Sequence, residues 1–458
     1  MAVEAKDVAI IGGGFAGLSA GVALAQQGYR VALLEAKPAL GGRAYSFTQA
    51  DSDDSIDNGQ HVLMGCYHAT LAFLKTLGTR DRLIAHRNLE IEMLAGPGQR
   101  AVLRTAPLPG PLHMVSALLR YRHLTMMRRI RLLRAGMHIM YLRRFAAPRL
   151  HQMTVAEFMD LSKQSDAARR CLWYPITLAT LNETPDHASA ALLAEVLKRA
   201  FFSRRSDSAF LYSTVGLSDL YCGAAEKLIE RHDGVVACRA IVERFELDDH
   251  GRVATIRLRD GRGLQAANFI SAVTPDRLLK MLPEGATTDP AFRGLADLKS
   301  SPTVCAHVWF DREVTRSAFV GFIGTQTQWL FNKRRIFAQH SDDQPGYLSF
   351  VISGARDLVD RSSDDLLAIV LRDLRAMIPA ARPAQVIKAL VIKEKQATIA
   401  PDPQSDALRP AVATSIPNLF LAGDWTQTGL PATIESAVVS GNRAAAAVAA
   451  RTSRATVR

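Results

Sequence analysis

Ten residues near the start, Val8-Ala9-Ile10-Ile11-Gly12-Gly13-Gly14-Phe15-Ala16-Gly17, constrain this chain more than any others. An apolar run that ends on glycines reads as a buried strand turning at once into a helix. Gly12, Gly14 and Gly17 fill the three glycine slots of G-x-G-x-x-G. The first permits a tight turn, the second lets a pyrophosphate approach the backbone, and the third packs helix on strand. Unpaired N–H groups and the positive dipole end of the helix then face the phosphates. Arg30 to Leu34 reads as a second strand ending in Glu35, 18 residues beyond Gly17. An acid near that spacing grips a ribose hydroxyl and disfavours a 2′-phosphate. The chain therefore opens on a Rossmann-like α/β unit for a dinucleotide. Its candidate contacts are Gly12, Gly14, Phe15, Ala16, Gly17, Glu35 and Ala36.

Such a unit fills only part of 458 residues, so at least two lobes are expected. The five cysteines (Cys66, Cys171, Cys222, Cys238, Cys305) are scattered and form no C-x-x-C pair. They read as free thiols of a reducing compartment, and no metal or nucleophile constellation stands out. The first strand begins by Val8, which leaves no room for a cleaved signal, and no apolar run reaches the roughly 18 residues of a spanning helix. A cytoplasmic protein is the expectation.

The net charge of +12, from 56 basic and 44 acidic residues, asks for an anionic partner. Its distribution narrows the choice. Met93 to Ala156 holds no acidic residue, and nine arginines fall between Arg120 and Arg149. Among them Met126, Ile130, Leu133, Met137 and Met140 recur at spacings of four and three, one apolar helical stripe. A basic amphipathic helix of this kind lies on an anionic bilayer, each cation near the surface adding about 1 kcal/mol. The other reading is a stripe that faces the core beneath solvated arginines. Membrane contact through residues 112–150, peripheral and on the inner face of the cell membrane, is the expectation. Nucleic acid is not, because the block offers few aromatics for stacking.

Further motifs sharpen the opening one. Gly41-Gly42-Arg43 places an arginine fork on a glycine turn, suited to more pyrophosphate contacts. Asn418 to Ala422 reads as a strand ending at Gly423-Asp424, and Thr433-Ile434-Glu435 opens a helix. With Gly12–Gly17 and Glu35, these resemble the two-part FAD signature of the flavin amine oxidase and phytoene desaturase superfamily, of the GR2 flavoprotein type. The resemblance implies FAD bound without a covalent link, since Glu394 to Pro403 holds no cysteine. It adds Gly42, Arg43, Gly59, Gln60, Ile241, Gly423, Asp424, Thr433 and Ile434 as cofactor contacts, Ile241 through its backbone at the end of a strand over 234–241. It also places Asp57 to Tyr67 beside the flavin ring and points the helix after Thr433 at the ring, where its dipole stabilises negative charge.

Asp57–Tyr67, Trp173–Ser189 and Ala397–Gly441 are more narrowly similar to the hydroxysqualene dehydroxylases of hopanoid biosynthesis. That resemblance implies reductive removal of a hydroxyl from an apolar isoprenoid, with hydride from reduced flavin. His61, or else Tyr67, would be the acid that protonates the leaving hydroxyl. A phytoene-type desaturase is the alternative, and a flavin amine oxidase or a non-catalytic escort protein lies further off. Thr433 sits where amine oxidases place a cage aromatic, which removes a cation–π site for an amine. The resulting layout is an FAD domain from 1–80, 206–275 and 395–450, an α+β substrate domain from 81–205 and 276–394, and a frayed tail over 451–458.

Overall fold

The computed structural model describes residues 6–49, 54–85, 88–337 and 346–456. β1 (Lys6–Ile11) and β2 (Val31–Leu34) flank α1 (Phe15–Ala25), and Val8–Ile11 and Val31–Leu34 are buried throughout. That is the pattern of parallel strands covered on both faces. β3 (Leu63–Met64), α2 (His68–Thr76), β4 (Glu90–Leu94) and β5 (Arg100–Arg104) follow, then α3 (Leu112–Arg120), α4 (Met126–Phe145), α5 (Tyr174–Leu181) and α6 (Ala190–Phe201). Next come β6 (Phe210–Ser213), α7 (Leu217–Arg231), β7 (Val235–Ala237), β8 (Ala266–Ser271), β9 (Ser300–Phe310), β10 (Phe319–Phe322) and β11 (Trp329–Asn332). The short α8 (Lys333–Ile336), β12 (Gly346–Ser353), α9 (Ser363–Met377), β13 (Val386–Ile399), β14 (Leu419–Leu421) and α10 (Ile434–Thr456) complete the chain.

Two sheets organise these elements. A parallel five-stranded sheet has the order β7-β2-β1-β8-β14. Apolar side chains of α1, α2, α7 and α10 cover one face, and a small antiparallel sheet within residues 242–264 covers the other. The second sheet has the order β13-β9-β12-β11-β10-β4-β5, antiparallel except where β10 meets β4. Alternation along its strands serves two cores. Val304, Val308, Phe350 and Ile352 pack on α9, whereas Cys305, Trp329, Phe331 and Val351 face the layer of α3 to α6.

Two expectations change, and one alternative is removed. The strand over 234–241 stops at Ala237, because the chain turns at Arg239 with φ +59°. The turn is held by Glu35 N–H donating to the Ala237 carbonyl (2.8 Å) and Arg239 N–H to the Lys37 carbonyl (3.0 Å), which leaves Ile241 beyond it. The tail expected to fray from 451 is helical through Thr456. Its alanine-rich run propagates α10, and the Arg451 guanidinium donates to the Pro417 carbonyl. In α4 the core-facing residues are Leu132, Ala135, Ile139 and Leu142, so the reading in which the stripe faces the core does not hold. Of that stripe, Met126 is 54 % and Met137 61 % exposed, and Phe145 at the helix end is 68 % exposed.

Candidate active site

Two glycine turns meet at the carboxyl end of the parallel sheet. Gly12, at φ +111°, leaves β1 so close to β8 that a β-carbon would stand 2.7 Å from the Ala272 carbonyl oxygen. A β-carbon on Gly17 would stand 1.9 Å from the Gly12 carbonyl oxygen, and one on Gly14 would face Gly42 Cα at 3.6 Å. A side chain at Gly14 would stand in the groove between the turns, which glycine keeps open to a phosphate, while those at Gly12 and Gly17 would push strand and helix apart. Glu35, buried at the end of β2, accepts from Gly13 N–H (2.7 Å) and Lys37 N–H (2.8 Å), so it shapes the loop. Phe15 and Ala16 are buried in the first turn of α1, and Ala36 is exposed at the loop. Arg43 pairs with the buried Asp424 carboxylate, joining the second glycine turn to the turn after β14. Gly423 takes φ +148° there and donates its N–H to Ser440 Oγ (2.7 Å). Arg409, 3 % exposed, reaches the Leu430 carbonyl, but its Nε and Nη2 find no acceptor among the described residues. Donors buried in that state are costly and fit a site that an anionic ligand completes.

The segment from Asp57 to Tyr67 is anchored from below by groups the sequence did not flag. Asp57 Oδ1 accepts from Leu217 N–H at the start of α7 (3.0 Å), and its Oδ2 accepts from the fully buried Lys333 Nζ (2.8 Å). The same ammonium donates to Gln60 Oε1 (3.1 Å) and sits 3.9 Å from the Phe337 ring centroid. Asn58 donates to the Arg43 carbonyl (3.0 Å) and to Glu394 Oε1 (2.9 Å), which staples the ring-flanking segment to the second glycine turn. His307 Nε2 donates to the Asp57 carbonyl (3.0 Å) while its Nδ1 accepts from Tyr347 hydroxyl (2.8 Å), fixing one neutral tautomer. Burial pulls the His307 imidazole down to about 4. His61, next to Gly59 and Gln60, is also held below the ordinary imidazole value, chiefly by burial, with Asp57 opposing and Lys333 assisting. Its Nε2 has no partner among the described residues.

α10 closes the site from the opposite side. Thr433 is its N-cap, with Oγ1 accepting from Ser436 N–H (3.2 Å), and Tyr67 lines the same cavity as this threonine. Burial raises the Tyr67 phenol well above its ordinary value. Glu435, one residue past Ile434, reaches across to α2. Its carboxylate accepts from Ala69 N–H (2.9 Å), Thr70 N–H (2.9 Å) and Thr70 hydroxyl (2.7 Å). Two helix N-termini, those of α2 and α10, are thereby locked together beside the ring position.

A cavity of about 650 Å³ starts from Gln60, His61, Tyr67, Thr433 and Ile434 and extends between α3 and α4. Phe201, Phe202 and Phe210 line it, as do Trp173 and Asn182 around α5. No Asp, Glu, Lys or Arg is among the described residues on its wall. His61 and Tyr67 both line this cavity. Among the described residues no group of three His, Cys, Asp or Glu side chains is placed to hold a metal ion, and no helix is long and apolar enough to cross a membrane.

A dinucleotide cradle beside an apolar cavity is the arrangement a flavin-dependent oxidoreductase needs. The chain matches the family of flavin-containing amine oxidoreductases over residues 15–449 and belongs to it. It is 29 % identical over 442 residues to the hydroxysqualene dehydroxylase of Rhodopseudomonas palustris, covering 96 % of this chain and 97 % of that one. It is 25 % identical over 456 residues to the 15-cis-phytoene desaturase of Synechococcus elongatus, covering 97 % and 96 %. Among solved structures, an oxidoreductase from Methanosarcina mazei shares the fold with a TM-score of 0.75 at 15 % identity over 95 % of this chain and 98 % of that one. A putrescine oxidase bound to putrescine gives 0.71 at 17 % identity, over 98 % and 100 %. The protein is an FAD-dependent oxidoreductase, and the groove at Gly14 and Gly42 fits that cofactor.

Proposed function

We propose that this enzyme reductively removes the hydroxyl of hydroxysqualene to give squalene, taking its substrate from an anionic membrane surface. The observation that carries the reading is the cavity, which is long and apolar, lacks charged side chains among its described residues and ends beside the ring-flanking residues. FAD would be held by Gly12, Gly14, Gly42, Arg43 and Asp424, and in its reduced form it supplies a hydride. The chain supplies the proton and excludes water. A hydroxyl is a poor leaving group until protonated, so an acid inside the cavity is required. His61 is the first candidate and Tyr67 the second, both on the cavity wall. Either assignment predicts that replacement by Phe abolishes squalene formation with FAD still bound; unchanged turnover sinks it.

Entry from the bilayer is supported by the outer surface of α3 and α4. Leu112, Met126, Met127, Met137 and Phe145 are exposed there among arginines, and Met114, Leu118, Leu133 and Met137 also line the cavity. An apolar molecule could pass from lipid to cavity between these helices without crossing water. Sedimentation with anionic liposomes, falling as salt rises, is the expected result, and indifference to anionic lipid counts against it.

The decisive assay incubates the protein with hydroxysqualene and reduced FAD and follows product by mass spectrometry. Squalene is expected. Similarity to the Synechococcus elongatus desaturase along 97 % of this chain favours a second reading, a polyene desaturase working in the oxidative direction. A chromophore growing from a phytoene-like substrate with oxidised FAD, and no squalene from the alcohol, selects that reading.

A further inference from the structure

One wall of the cavity is built from four aromatic rings. Phe319 stacks on Phe331 with centroids 4.8 Å apart and on Trp329 at 5.2 Å, and meets Phe210 edge-on at 6.0 Å. All four line the cavity. The wall is rigid. Phe319 and Phe331 are cross-strand partners on β10 and β11, and Trp329 lies over Gly321, where a β-carbon would stand 2.7 Å from the indole Cζ3. It is also tied at two points to the segment beside the ring. Phe210 on β6 pairs with Met64, and β11 runs directly into Lys333, which holds Asp57 and Gln60. The part of the cavity between α3 and α4 is mostly aliphatic, with Met114, Leu118 and Leu133 on its wall and Phe202 against Gly136. The stacked aromatic wall is thus on the side tied to the Asp57–Tyr67 segment, and the α3–α4 side is mostly aliphatic.

We propose that the Phe210, Phe319, Trp329 and Phe331 wall holds the reacting carbon and stabilises the positive charge that develops on it, a role that rests on the dehydroxylation reading. In that reaction the C–O bond breaks with both electrons going to oxygen, which takes up one proton and leaves as water. The carbon is electron-deficient until the hydride of reduced FAD forms the new C–H bond, the flavin being oxidised by two electrons. No carboxylate stands among the described residues of the lining. The side chains left to stabilise a cation are aromatic rings and the dipoles of hydroxyls and amides. Attraction of a cation to an aromatic face is strongest where water is excluded, and strongest for Trp. The aliphatic end has no such capacity and suits the unreactive length of the chain.

Graded fluorination tests this without changing the packing. Fluorinated phenylalanines introduced singly at positions 319 and 331 withdraw charge from the ring face and keep its shape. The expected result is a stepwise fall in kcat, about tenfold across the series, with KM, FAD affinity and melting temperature unchanged. Trp329→Leu is expected to lower kcat by roughly 10- to 30-fold. A binding arm needs no turnover: an ammonium analogue of the polyene, charged at the reacting position, is titrated against its neutral hydrocarbon isostere. The ammonium-to-hydrocarbon affinity ratio is expected to fall about tenfold in Trp329→Leu. A kcat indifferent to fluorination, or an unchanged affinity ratio, overturns the proposal. Failure of the wild-type protein to make squalene instead overturns the reading beneath it, which keeps the two failures distinct.

Discussion

Lys333 is surrounded in sequence by Arg334 and Arg335 and reads like part of a solvated basic run, yet it is completely buried against Asp57 and Gln60. Its burial comes from β11, which delivers it under a segment more than 270 residues earlier, so no local pattern could reveal it. Removing one member of a buried ion pair leaves the other uncompensated. Lys333→Met is therefore expected to lower unfolding free energy by roughly 3–5 kcal/mol, read from urea denaturation, and Asp57→Asn in the same chain should restore part of it. His307 gives a pH signature. Its folded value of about 4 lies below the ordinary 6.5, so between those limits the unfolded chain binds more protons. Stability from this residue is present above pH 6.5 and is lost as pH falls toward 4, by roughly 3 kcal/mol. His307→Gln should flatten that part of a stability-against-pH curve. Gly17 is the opposite case: a β-carbon there would meet the Gly12 carbonyl five residues earlier, a local demand that the glycine spacing displays directly.

At the scale of elements, α4 shows why periodicity can locate a helix without orienting it. Leu132, Ala135, Ile139 and Leu142 form one apolar row and Met126, Ile130, Leu133, Met137 and Met140 another. Spacing alone ranks neither, and only the packing of α4 on its neighbours decides which row is covered. Because Met137 and Phe145 are exposed, Met137→Asp with Phe145→Glu should weaken liposome binding several-fold and leave the melting temperature nearly unchanged. Loss of stability in that variant would show that the row is packed. The contact of Glu435 with α2 was likewise invisible, since a carboxylate in a first helical turn ordinarily serves its own helix. Glu435→Ala leaves two N–H groups and the Thr70 hydroxyl without their acceptor, at an expected cost of roughly 1–3 kcal/mol in thermal or urea unfolding.

Across the whole molecule, the cofactor groove draws on Gly12–Gly17, Gly41–Arg43 and Gly423–Asp424, stretches lying about four hundred residues apart in the chain. FAD binding should therefore stabilise the entire parallel sheet, by about 2.7 kcal/mol at a free concentration one hundred times its dissociation constant. A thermal shift on adding FAD to stripped protein checks this. Strands β1, β2, β7 and β14 were legible because strand and turn chemistry is local, whereas their order and the seven-stranded sheet depend on pairings between distant segments. Glu435 gives this closure a consequence in time. On the ribosome, α2 emerges early but waits for its capping carboxylate until 365 further residues have been made. β14 and the pairing of Asp424 with Arg43 are equally late. The nascent chain must then carry an incomplete flavin pocket for almost the whole of its synthesis, and a chain released before Leu419 should leave the ribosome without FAD.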